Sequence, residues 1–353
     1  MPSWNEIFLE VQESAKERPD GRPDFDRVRH KYIRALHDLT GRAVIVYASG
    51  WLAKPGISDI VVAVEPNDVH GLMSACHGVH ERELDLVLHS PGGSPQAAEQ
   101  MLEYLRTRFD NIRAIVPLQA KSAATMLALG CDEIVMGEHS ELGPIDPQIL
   151  IQVPEGVRYA PAIAILRDFQ RAKSEIRRDV TELPAWTPIL RGYAGGMIEF
   201  CTKQVKLTQE IVARWLRTYM LRHPESPFTT ADQRSRRARA LAAYFGSEKS
   251  YDRFKTHGRP IRPAQLRRQR GLVIRRLEDD QALQDAVLSL YHALDLTFGG
   301  AAVKIIENHH GAMYVRVVAQ LQVQVGGIPT AGPEQAGPEQ AAPARRRRAP
   351  RKA

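Results

Sequence analysis

The chain has 353 residues, 43% of them hydrophobic and 25% charged, which fits a soluble protein of one large or two ordinary domains. Its formal net charge of +7 is local: RRRRAPRKA at 345–353 carries six bases and no acid, so the body is close to neutral. No stretch approaches the roughly 18 apolar residues of a membrane span, and the N-terminus lacks a secretory signal's basic-then-apolar pattern, so a cytoplasmic location is expected.

Residues 1–40 read as an N-terminal helical segment, two helices broken by Pro19-Asp20-Gly21-Arg22-Pro23. The β-branched run from Arg42 to Ala48 reads as a strand. From Ser58 to Gly137 the pattern alternates, with strands at 59–64, 84–89, 112–117 and 132–136 and helices at 67–78, 95–108 and 122–129. Alternation of this kind predicts crossover units and a mainly parallel sheet. Ser94 can cap helix 95–108, with Pro95 at the first helical position, where its missing N–H costs nothing. Ala98, Met101, Leu102 and Leu105 then form one apolar stripe. Gly130 is placed to end helix 122–129 as a C′ glycine.

After Gln148, longer helices are expected over 160–180 and 195–222, joined by the Pro/Trp-rich ELPAWTPILRGYAGG. Residues 228–295 are charged and helical, interrupted by HGRPIRPAQ, and AAVKIIEN at 301–308 is a last strand. The expected organisation is a helical segment 1–40, a core 41–222 and a helical C-terminal region 223–325 with its final strand. A disordered Pro/Gly/Ala- and Arg-rich tail is expected over 326–353, where large apolar residues almost vanish. The basic runs at 234–240 and 259–271 fit solvated faces, and the Arg-rich tail could hold an acidic or nucleic-acid partner. Cys76, Cys131 and Cys201 lack metal spacing and are odd in number, so buried reduced thiols are expected.

Two segments carry the chemistry: LVLHSPGGSPQAAEQM at 86–101 and QAKSAATMLALGCDEIVMGEHSELGPIDPQ at 119–148. Acyl transfer needs a nucleophile, a base and donors aimed where a carbonyl oxygen becomes negative. Ser122 follows a strand and opens a helix, where free N–H groups favour negative charge. Ala123 and Ala124 leave room for a substrate backbone, while Gly92 and Gly93 can turn N–H groups outward at the end of a neighbouring strand. The same serine would also serve as an ordinary N-cap.

The base is less clearly marked. Lys121 adjoins Ser122 but points about 100° away around a helix start. His139 follows the next strand. Lys173 falls on one helical face with Leu166, Phe169 and Ile176, where an apolar stripe would desolvate it and lower its pKa toward a useful value. It would equally fit a lysine snorkelling from the edge of that stripe. Lys203 is a further candidate.

The segments LHSPGGSPQAAEQM, KSAAT, DEIVMG and ELGPIDPQ resemble the serine dehydrogenase proteinase family. The likeness continues through AWTPIL, ARWLRTYM, HGRPI, LSLYHA and AAVKIIEN. That family stands with signal peptide peptidase A and the Clp-type proteases. The resemblance implies an α/β fold with a Clp/crotonase-like ββα spiral core, a mainly parallel sheet and a helical C-terminal extension. It also implies a serine endopeptidase acting on polypeptides, with Ser122 as nucleophile, Gly92, Gly93 and Ala123 as the oxyanion and substrate strap, and Lys173 completing a Ser-Lys dyad. The position of the Clp-type histidine is taken by Pro147, so a Ser-His-Asp set in that register is not expected. By the same analogy the protein is a homo-oligomer, and neither cofactor nor metal is called for. Two other readings are a non-proteolytic acyl-CoA enzyme of the same fold, and a degenerate protease body whose basic tail binds nucleic acid.

Overall fold

Successive side chains along the central strands point to opposite faces of a sheet, and here both faces are apolar. The computed structural model describes residues 3–153, 156–193 and 195–318. The chain opens with α1 (Trp4–Ser14), α2 (Phe25–Thr40), strand β1 (Ala43–Ser49), the single turn α3 (Asp59–Val62) and α4 (Asp68–Cys76). Then come β2 (Glu83–His89), α5 (Pro95–Arg108), β3 (Asn111–Val116), β4 (Gln119–Ala120), α6 (Ala123–Leu129), β5 (Glu133–Met136) and β6 (Glu141–Leu142). A hairpin of β7 (Gln148–Val153) and β8 (Gly156–Pro161) leads into α7 (Ala162–Arg178), α8 (Leu183–Arg191) and α9 (Met197–Thr218). The chain continues with α10 (Ala231–Gly246), α11 (Glu248–Phe254), α12 (Pro263–Arg267), β9 (Ile274–Arg276), α13 (Gln281–Phe298), β10 (Ala302–Asn308) and β11 (Met313–Val317).

Seven strands form the main sheet in the order β11-β10-β1-β2-β3-β5-β9. The run from β1 to β9 is parallel, and β10 and β11 are added antiparallel. On one face Ile45, Leu86, Ala114 and Ile134 meet the core built with α4, α5, α6, α9 and α10. On the other, Val46, Val87, Ile115 and Val135 meet α2 and α13. This period of two with both faces buried is what near-continuous apolar runs in a parallel sheet predict. The expected α/β class, mainly parallel sheet and helical C-terminal part are therefore observed. The described residues up to Val318 form one compact unit, in which β9, β10 and β11 bring the C-terminal region into the sheet of the core.

Residues 59–64 depart from the expected strand. They form the turn α3, and only Val64 pairs, with Gly93. The reason is topological: β1 already has β10 on one side and β2 on the other, so the sheet has no place for another strand there. The hairpin β7–β8 and the short strand β9 were not anticipated. Gly130 ends α6 at φ −84 rather than in a left-handed conformation. Glycine is needed there because a Cβ would come within 2.9 Å of Trp215 Cε3. The basic runs at 234–240 and 259–271 are held locally, Arg236 by Asp232 and Arg237 by the Arg270 carbonyl. The three cysteines are free and buried, and burial pushes Cys131 up to about 12 and Cys76 to about 11. The expected tail at 326–353 lies outside the described residues.

Candidate active site

Ser122 stands at a strand–turn–helix junction. β4 delivers the chain to Lys121, and α6 begins at Ala123. Ser122 itself has φ 50 and ψ −119, a conformation that costs a non-glycine residue about 1–3 kcal/mol. An ordinary serine N-cap is extended, and its hydroxyl accepts a helix N–H. Ser122 does neither: its side chain makes no capping bond. Strain of this kind at a strand-to-helix turn lifts a serine hydroxyl clear of the backbone and leaves the next residue's N–H beside it. Here that N–H belongs to Ala123.

Thr125 anchors the junction from beneath. Its buried hydroxyl donates to the Ala120 carbonyl at 2.7 Å and accepts from Gly143 N–H at 2.9 Å. Lys121 points sideways from the turn and ion-pairs Glu141 at 2.5 Å, with both side chains nearly buried. It ties β4 to its parallel neighbour β6.

The glycine strap lies directly against this turn. Ser90 continues β2 into a bridge with Ala120, through Ser90 N–H to Gln119 O at 3.1 Å and Lys121 N–H to Ser90 O at 3.0 Å. Gly92 has φ 92, and a Cβ on it would collide with the Lys121 carbonyl and stand 2.5 Å from Ser122 Cβ. Gly93 bridges Val64 in parallel: Val64 N–H donates to Gly92 O at 2.7 Å, and Ser94 N–H donates to Val64 O at 2.9 Å. In a parallel bridge of this kind Gly93's own N–H and C=O point the other way. The two glycines thus have different duties. Gly92 is buried and gives its N–H to Ser90 Oγ at 3.2 Å. Gly93 is exposed, and among the described residues no acceptor engages its N–H or that of Ala123.

Two buried groups back the strap. His89 stacks on Trp51 with ring centroids 4.4 Å apart and meets the edge of Tyr291, and burial lowers its pKa to about 3. Lys304 donates to Ala63 O at 2.6 Å and to both oxygens of Asp68 at 2.8 and 2.9 Å. Asp68 also accepts from Tyr47 Oη at 2.6 Å and Glu65 N–H at 2.9 Å. This knot fixes the segment from Ala63 to Glu65, and with it Val64 against Gly93.

Beyond Gly143 the chain stays buried through Pro147. Asp146 Oδ1 lies 2.8 Å from His257 Nδ1, and Gln148 Nε2 donates to Asp146 Oδ2 at 2.7 Å. Neither Asp146 nor His257 was singled out from the sequence as a site residue.

Residues 50–183 match the family model described as ClpP-like SDH-type serine proteinase. This segment belongs to that family. The proteinase match contains the strap, the strained serine and Lys173, while His257 lies outside it. Two uncharacterized proteins of Methanocaldococcus jannaschii also match, one 42% identical over 69 residues and the other 33% identical over 93 residues. Those matches span 20% and 26% of this chain, and only 24% and 29% of the relatives' own length. Two solved structures of a membrane-bound stomatin-specific protease are similar at 12% and 16% identity, with TM-scores of 0.33 and 0.24. They cover 61% and 60% of this chain, and 75% and 84% of theirs, and the second was solved with a substrate peptide.

Among the expected site residues, the proteinase segment brings together Ser122, Gly92, Gly93 and Ala123. Lys173 departs from its expected setting. On α7 the buried positions are Ala162, Ile163, Ile165 and Ala172, of which Ala162 and Ile165 share a core cluster with Cys201 of α9, and Lys173 is exposed. Ala172 takes the buried place and leaves its neighbour on the water side, so burial does not desolvate the ammonium. Lys203 is also exposed and pairs with Glu199 one turn away. His139 turns its Nε2 to the Pro117 carbonyl at 2.9 Å.

A cluster of His37, Glu81 and His309 lies elsewhere, and its ligand atoms come within 4.8 Å of one another. His309 Nδ1 lies 3.2 Å from Val44 N and 3.4 Å from Val44 O, and its Nε2 lies 3.3 Å from Glu81. No helix among the described residues is long and apolar enough to cross a membrane.

Proposed function

We propose that this protein is a serine endopeptidase whose nucleophile is Ser122 and whose oxyanion donors are the N–H groups of Gly93 and Ala123. The observation that carries the proposal is the conformation of Ser122. A strained, uncapped serine beside two unengaged N–H groups has no structural duty that repays its cost. A scissile peptide would lie extended along the free edge of Gly93, opposite Val64, so recognition is largely through backbone, as in strand addition. Gly92 keeps the strap close because it has no side chain.

The test is hydrolysis of an unstructured protein such as casein by the full chain and by Ser122→Ala, together with labelling by a fluorophosphonate probe. Cleavage and labelling that both vanish in Ser122→Ala are expected. Cleavage that persists in the variant would sink the proposal.

The resemblance names Lys173 as the proton acceptor of a Ser-Lys dyad. Exposed on α7, it could serve only under a covering surface. The neighbouring hairpin and α8 favour a covered state, since Leu150, Val157, Tyr159, Leu183 and Ile189 are about half exposed. Apolar surface of this kind is typical of subunit contacts, and we include a homo-oligomer in the proposal. Light scattering on the purified chain tests it, and a monomer at all working concentrations would remove both the assembly and the cover for Lys173.

A further inference from the structure

We infer that His37, Glu81 and His309 form a binding site for a divalent transition-metal ion of the Zn²⁺ class, at the end of the sheet opposite the serine.

The three residues come from parts of the chain far apart in sequence. His37 lies in the last turn of α2, Glu81 just before β2, and His309 just after β10. Their candidate ligand atoms all lie within 4.8 Å of one another. Two imidazoles and one carboxylate are a donor set that suits Zn²⁺ and its first-row neighbours, whereas Ca²⁺ and Mg²⁺ prefer oxygen alone. Strand β2 runs from this cluster to the glycine strap, so seven residues of strand, about 20 Å, separate the two sites.

Each ligand is already oriented from behind. His37 Nδ1 lies 2.7 Å from the Arg42 carbonyl, which can only accept, so the proton is on Nδ1 and the Nε2 lone pair is open. Metal-bound histidines are held in this way. Glu81 accepts the His80 N–H on Oε2 at 3.1 Å and turns Oε1 toward both rings. Val44 offers His309 Nδ1 a donor and an acceptor, at 3.2 and 3.4 Å, so that ring can carry its proton on either nitrogen. An ion on Nε2 would select Nδ1–H.

An unsatisfied atom points to the ligand. His309 is 2% exposed, and its Nε2 is sealed from water with no hydrogen-bond partner, a costly state for a polar atom. Glu81 Oε1 stands 3.3 Å from it. That matches the edge of a tetrahedron with metal–ligand bonds of about 2.0 Å. His37 Nε2, 4.0 Å from the same oxygen, has to close by about 0.7 Å to complete the face. The two rings are stacked with centroids 4.0 Å apart, whereas an ion lies in the plane of each imidazole that binds it. His37, the more exposed ring, therefore pivots out of the stack about its Arg42 hydrogen bond as the ion enters. A hollow of about 390 Å³ beside the rings, with Arg34, Asp38 and His310 on its walls, leaves room for water as the fourth ligand. The negative end of α2 favours a cation there. A bound ion would pin α2 and the end of β10 to the start of β2.

Calorimetric titration of the metal-stripped full chain with Zn²⁺ tests the inference, with Co²⁺ as a coloured reporter of the ligands. One ion per chain is expected, with the visible bands of a four-coordinate nitrogen–oxygen site and a melting temperature that rises with free Zn²⁺. His37→Ala and Glu81→Gln, checked for folding by circular dichroism, should each weaken binding by about 10²-fold or more, at least the worth of a partner behind a ligand. His70→Ala, exposed on α4, should bind as wild type does. Unchanged Zn²⁺ affinity in folded His37→Ala and Glu81→Gln, or a wild-type chain that takes up no stoichiometric ion, would overturn the inference. Labelling of Ser122 does not enter the test, so failure here leaves the peptidase reading standing.

Discussion

Gly92 and Ser122 are packed so closely that a methyl group on the glycine would stand 2.5 Å from the serine Cβ. Neither residue is in an ordinary conformation, with φ 92 at Gly92 and φ 50 at Ser122. The contact makes strap and nucleophile one unit. Gly92→Ala cannot be absorbed by a side-chain rotation, because the obstructing atoms include the Lys121 carbonyl. It should cost about 1–3 kcal/mol from backbone strain. It should also lower labelling of Ser122 by about 10² or more, the scale of losing one oxyanion donor, because pushing the strap away from the serine displaces the Gly93 N–H. Denaturant melts and labelling rates on the same preparation check both. A fully active Gly92→Ala would show that the strap does not align the substrate.

Thr125 gives a subtler test. Its hydroxyl joins Ala120 O and Gly143 N–H, so it sits between the serine turn and the strand leading to Asp146. Thr125→Val keeps the shape and leaves both backbone groups buried without a partner. A destabilisation of about 1–3 kcal/mol is expected, with a parallel fall in labelling. Thr125→Ser should recover most of each. Recovery of stability without activity would mean that the methyl group, rather than the hydroxyl, positions the turn.

The Lys304–Asp68 pair, 0% exposed on both sides, is predicted to hold the strap from a distance. Lys304→Met leaves Asp68 buried without its cation and should cost about 3–5 kcal/mol. The double variant Lys304→Met/Asp68→Asn should be less destabilised than the single, since no lone charge remains. Urea unfolding at neutral pH measures the difference. Equal loss in both would assign the effect to packing rather than charge.

Sequence patterning was enough to place the parallel core because each strand buries both faces and each crossover helix carries its own signals. Ser94 and Pro95 do what their positions suggest, with Ala97 N–H donating to Ser94 Oγ at 3.2 Å. The strap and serine were legible for a similar reason, since glycine pairs and helix-start serines are local features. What escaped was non-local. Val64 looks like the end of a strand, but β10, arriving from the far end of the chain, occupies the place beside β1. The apolar stripe that made Lys173 attractive drifts around α7, so Ala172 rather than Lys173 is the buried position. Asp146 and His257 are brought together only by the pairing of Leu142 with Ile261, and no spacing rule joins residues so far apart in sequence.

His89 sets an acid limit on stability. Its folded pKa is about 3 against an ordinary 6.5, because burial against Trp51 and Tyr291 disfavours the charged ring. The unfolded chain therefore binds a proton near pH 6.5 that the native state refuses until about pH 3. Stability from this group is complete above pH 6.5 and is lost as pH falls through that window, by about 1.4 kcal/mol per unit. Burial lowers His309 and His292 in the same direction, so they steepen the loss. His89→Phe fills the aromatic slot and removes a buried Nδ1 that has no partner. The variant's melting temperature should fall less than that of wild type between pH 7 and pH 4.5. Parallel curves for the two proteins would mean that His89 is already protonated in the native state, and that its ring sits beside the strap as a cation.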